Sequence, residues 1–152
     1  MVTIIDMEDI KMTIKQVSVF IENKPGMMVS VTEALGKASI DVRALSLADT
    51  QDFGILRMIV DDTAKAKEVL AGIGCVTSVC DVIAAADPDK PGAMTDILTK
   101  VSETGLNIEY IYAFVSPKNK KAYIVLRIKD IDAAVIALKG KGIELAEDPS
   151  II

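Results

Sequence analysis

Two short phrases in this chain are suited to holding a charged group rather than to breaking a bond. Lys24-Pro25-Gly26 and Lys90-Pro91-Gly92 each stand just before a stretch of helical periodicity. Proline is at home in the first turn of a helix, and glycine lets another molecule approach the backbone closely. A helix start carries unsatisfied N–H groups and the positive end of the dipole, so it suits an anion at ~0.3–1 kcal/mol per favourable charge. Lys24 and Lys90 would add positive charge beside it. Catalytic chemistry finds far less support. The 152 residues contain no histidine, the commonest general base and metal ligand. No nucleophile–base pair can be drawn, and the acids, lysines and tyrosines form no motif. Cys75 and Cys80 are spaced C-x4-C, which suits neither a redox pair nor a metal site. They are expected to be small buried hydrophobes of a reducing compartment. No metal or cofactor is implied.

Composition narrows the class further. Hydrophobic residues make up 51% and charged residues 26%, so the chain can bury a core. The net charge of −5 and the lack of a basic stripe argue against nucleic acid as a partner. Apolar runs fall well short of the ~18–20 residues of a membrane helix. Residues 1–11 carry acid and no long apolar stretch, so they do not read as a secretory signal, and a cytoplasmic protein is expected. An alternative start, a poorly ordered tail and an added edge strand over residues 2–5 all fit that segment.

The phrases belong to an internal repeat. At the same offset of 66, Met28 matches Met94, Val31 matches Ile97, Leu35 matches Val101 and Asp41 matches Asn107. Leu56-Arg57 matches Leu126-Arg127 at offset 70, and Gly72-x-Gly74 matches Gly140-x-Gly142 at offset 68. Such drift is what loop-length changes produce. Each copy reads alike. A β-rich run, 16–21 in copy one, precedes the helix start. Met28, Val31 and Leu35 form one helical face, as do Met94, Ile97, Leu98 and Val101. Gly105 stands where a left-handed C-cap belongs. Strands are expected over 42–47 and 55–60, and over 108–115 and 122–128. Ile108, Tyr110, Tyr112 and Phe114 share a face, for packing or for an interface. A second helix buries Ala66, Val69, Leu70 and Ile73, matched by Ala134, Val135 and Leu138. Short strands close each copy near 76–79 and 143–145. Residues 75–86 must hold the last strand of copy one and the first of copy two, and Asp87-Pro88-Asp89 is expected as a loop. The order is β-α-β-β-α-β twice, an α+β fold of two tandem ferredoxin-like modules with antiparallel sheets. The expected division is an extension over 1–13, then domains over 14–78 and 79–152.

The pattern N-K-P-G-M-M or D-K-P-G-A-M between a strand and an amphipathic helix, followed by I-D-V or L-N-I, resembles the ACT domain. The resemblance covers about residues 14–146 in two copies and is close to stand-alone proteins made of two ACT domains. Phe53-Gly54-Ile55-Leu56-Arg57 and Ile108-Glu109-Tyr110-Ile111-Tyr112 also look like that group.

The resemblance implies a non-catalytic regulatory module that binds a free amino acid, or a similar small zwitterion, between modules. It places the ligand at the loop from first strand to first helix: Asn23, Lys24, Pro25, Gly26 and Met27 in copy one, and Lys90, Pro91, Gly92, Ala93 and Met94 in copy two. It adds the opening of the second strand, where Asp41 and Asn107 stand. Ser39 replaces the more usual Gly or Asn at the helix end, so the two sites are expected to differ. The helix start would take the α-carboxylate and Asp41 or Asn107 the ammonium. Plainer roles fit the same residues. Pro-Gly is a good turn by itself, Met28 and Met94 lie on a face a core would use, and Asp41 and Asn107 can satisfy backbone at a helix end. A homodimer is expected, with an enzyme or a regulator as further partner. A structural assembly subunit with vestigial sites is the alternative.

Overall fold

The computed structural model describes residues 12–49 and 52–147; the edge strand considered for residues 2–5 lies outside them. Ten elements follow in order: β1 (Ile14–Glu22), α1 (Met27–Lys37), β2 (Val42–Asp49), β3 (Phe53–Val60), α2 (Thr63–Gly72), β4 (Val76–Asp87), α3 (Ala93–Glu103), β5 (Ile108–Val115), β6 (Ala122–Ile128) and α4 (Ile131–Gly140). They form two compact units. One is residues 15–80; the other, among the described residues, is 12–14 with 81–147.

In the first unit β3 lies between β2 and β1, antiparallel to both. The register pairs Val17 with Met58 and Val19 with Leu56, and alternation puts all four on one face. Val31 and Leu35 of α1 and Ala66 and Leu70 of α2 close over that face. The helix spacing expected for these residues is therefore what the core uses. Ile73 departs from it: it lies past the end of α2 and is 47% exposed. The second unit repeats the plan. There β6 lies between β4 and β5, and Ile83, Ile124 and Leu126 pack against Ile97, Val101, Val135 and Leu138. Phe114 stacks on Tyr123 with ring centroids 5.6 Å apart, so part of the aromatic face is internal packing.

Three local features differ from the sequence expectation. The last strand of copy one and the first of copy two are one uninterrupted 12-residue strand, β4. Asp87 is its final residue and is buried, not part of a loop. The strand expected near 143–145 is reduced to a single bridge, Ala85 to Leu145. The cysteines are not fully buried either. Both are partly exposed, although desolvation still pushes the Cys75 thiol upward; Cys80 Sγ lies 3.6 Å from Gln16 Nε2, which donates to it.

Capping is duplicated as well. Asp62 Oδ1 accepts from Lys65 N at 3.0 Å, and Asp130 Oδ1 accepts from Ala133 N at 3.3 Å. Each carboxylate satisfies an orphan donor at the start of α2 or α4. Asp62→Ala is expected to cost about 1 kcal/mol, read as a lower urea midpoint at unchanged slope. Retained stability in that variant would mean the cap contributes nothing.

Candidate amino-acid site

Each first helix begins on a left-handed glycine. Gly26 has φ 88° and ψ −12°, and Gly92 has φ 88° and ψ −13°. Neither helix has a side-chain cap at its start; its first amide goes to a main-chain oxygen, and the amides that follow in the first turn are left for water or a ligand. The residues around each glycine behave differently in the two copies. In copy one Asn23 Nδ2 donates to Asp49 Oδ1 at 2.9 Å and its main-chain N–H to Asp52 O at 3.1 Å. Lys24 Nζ is 3.1 Å from Glu22 Oε2. Pro25 is exposed. Met27 packs against the core, and its N–H reaches Lys24 O at 3.4 Å.

In copy two Lys90, Pro91 and Met94 border a hollow of about 410 Å3, completed by Asp87, Phe114 and Val115 among others. Met94 is 43% exposed, so the core role expected for it does not hold, whereas Met28 does pack on its core. Met94 borders the hollow instead, although it holds the same place in α3 that Met28 holds in α1. Ala93 turns its methyl into the core at 3% exposure, and its N–H donates to Lys90 O at 3.1 Å.

Asp41 and Asn107 stand apart from these loops within their own units. Asp49, at the far end of β2, holds Asn23; Asp41 lies just before the other end, where its N–H donates to Asp61 Oδ1 at 2.9 Å. Eight strand residues separate the two ends, about 26 Å at ~3.3 Å per residue. Asp41 Oδ2 is 3.3 Å from Arg43 Nε, an ion pair and not a hydrogen bond, for that buried nitrogen has no hydrogen-bond partner among the described residues. Asn107 is exposed and borders another hollow, of about 550 Å3, with Glu109, Lys129 and Asp130. Both Asp41 and Asn107 directly precede a strand whose register shifts, at Val42/Ala44 and Ile108/Tyr110.

Asp87 is the polar residue that motif reading passed over. It occupies the position that Ile21 holds in copy one. An acid at an apolar strand position of an otherwise matching repeat is the signal that could have found it.

Two β-α-β-β-α-β units with helices on one sheet face define tandem ferredoxin-like modules. Residues 12–149 match the family model described as an ACT domain pair, and the chain belongs to that family. Among solved structures, a protein from Bacteroides thetaiotaomicron is 38% identical, with 93% of this chain and 98% of that chain covered and a TM-score of 0.83. The ligand-free regulatory subunit of aspartate kinase from Thermus thermophilus is 18% identical, with 83% and 90% covered and a TM-score of 0.59. The corresponding subunit from Thermus flavus is 20% identical over the same shares, with a TM-score of 0.54. The Thermus likenesses show the fold alone. No curated protein matches the chain.

Proposed function

We propose that the protein is a non-catalytic, cytoplasmic regulatory sensor that binds a free amino acid at its ACT modules and passes the signal to its own oligomer, a homodimer, or to a partner enzyme or regulator. One observation carries this reading: the same glycine conformation, φ 88°, opens an uncapped helix in both units. A plain turn does not need that start twice, and a carboxylate does use the donors it leaves open. The ligand-binding set is Asn23 to Met27, Lys90 to Met94, Asp41 and Asn107. A ligand that meets a glycine loop and an Asp41-type residue together must take them from different modules, because one module holds them at opposite ends of its sheet. Occupancy then favours one packing of modules over another, which is allostery through differential affinity.

A thermal-shift panel of the twenty amino acids on the full chain, paired with sedimentation equilibrium, tests the reading. A ligand at ~100 times its dissociation constant is expected to stabilise the chain by ~2.7 kcal/mol. Silence across the whole panel would end the sensor assignment and favour the assembly subunit with vestigial sites. The exposed Leu45 and Leu47 on edge strand β2, each 47% exposed, suit that role too.

A further inference from the structure

Building on the sensor reading, we infer that the hollow at the start of α3 takes an α-amino acid with an apolar side chain, and that Asp87 is the acceptor for its ammonium group.

Asp87 is 9% exposed and borders this hollow. Its Oδ1 accepts from Asp89 N at 2.8 Å, while its Oδ2 accepts no hydrogen bond among the described residues. That idle oxygen is not sealed from solvent, so from the hollow it is open to a cation and to a donor. A ligand's ammonium group supplies both.

The opposite charge is provided for nearby. Lys90 makes no ion pair among the described residues, whereas its counterpart Lys24 is engaged by Glu22 at 3.1 Å. Copy two has Pro88 where copy one has Glu22, so Lys90 is left for an anion. That anion is the α-carboxylate, beside the start of α3, which has no side-chain cap. The charged groups bordering the hollow are Asp87, Asp89 and Lys90, and the rest of the wall is apolar, with Pro91, Met94, Phe114 and Val115. A side chain without charge is what such a wall accepts. The volume of about 410 Å3 falls within the ~300–1,000 Å3 of small-molecule pockets. Copy one cannot offer the same acceptor, because Ile21 stands in place of Asp87. The two units are therefore unequal binders.

The test is isothermal titration of the full chain with leucine, methionine, phenylalanine, glycine and aspartate, and with 4-methylpentanoate, which is leucine without its ammonium group. The apolar amino acids are expected to bind, and 4-methylpentanoate to bind at least about tenfold more weakly than leucine. Asp87→Asn keeps an acceptor for Asp89 N, so the fold is retained, yet affinity is expected to fall about ten- to a hundredfold. If an amino acid binds but prefers a charged side chain, or binds equally well without its ammonium group or to Asp87→Asn, the inference is overturned and the sensor reading stands. If none of the twenty amino acids binds, both fall together.

Discussion

Leu126→Ala is expected to remove about 3–5 kcal/mol of stability. Leu126 is completely buried on β6, the middle strand of its unit. It sits in a cluster with Ile83, Ile97, Val101, Val135 and Leu138, all at most 6% exposed. These neighbours come from one other strand and two helices, so no single element can shift to fill the space left by the lost carbons, and a cavity cost is added to the transfer cost. A distinctive readout is available. All three tyrosines, Tyr110, Tyr112 and Tyr123, lie in the second unit, and the chain has no tryptophan. Tyrosine fluorescence therefore reports that unit, while circular dichroism reports all four helices. Urea unfolding followed by tyrosine fluorescence should show the midpoint fall in Leu126→Ala, whereas Ile111→Ala, at a 39% exposed position, should stay within about 0.5 kcal/mol. A loss under 1 kcal/mol in Leu126→Ala would contradict the packing described for β6.

Gly92→Val is expected to act on stability and binding together. At φ 88° a β-carbon crowds its own carbonyl, a cost of roughly 1–2 kcal/mol for ordinary residues and more for a β-branched one. The surroundings are not the cause, because a β-carbon at Gly92 would meet nothing within 4 Å. The strain is relieved only if the backbone rotates out of the left-handed region. That rotation displaces Lys90, Pro91 and Met94, which border the hollow, so the amino-acid-dependent thermal shift should vanish at every ligand concentration. Gly92→Ala should give a milder version of both effects. Wild-type ligand response in a folded Gly92→Val would remove the helix start from the site.

The doubled fold is legible in the residues because its signals are local. Proline and glycine mark each helix start, the i, i+3, i+7 spacing of Met28, Val31 and Leu35 marks a face, and recurrence at a near-constant offset marks duplication. The candidate site was only partly legible. The phrases around Gly26 and Gly92 locate the helix starts, yet nothing in them says that Lys24 is engaged by Glu22 and Lys90 is not, since that depends on one substitution, Pro88 for Glu22, two residues away.

Sequence alone determined the order of elements, the repeat and the positions of the two glycine turns, for each follows from backbone preference and side-chain period along the chain. Tertiary structure alone decided that β4 runs unbroken, that Met94 leaves the core, that Asp41 sits a strand's length from Asn23, and that Asp87 is buried beside a hollow. Those outcomes depend on which strand lies opposite and which sheet face a residue takes, and pairing across a sheet is set by residues distant in the chain.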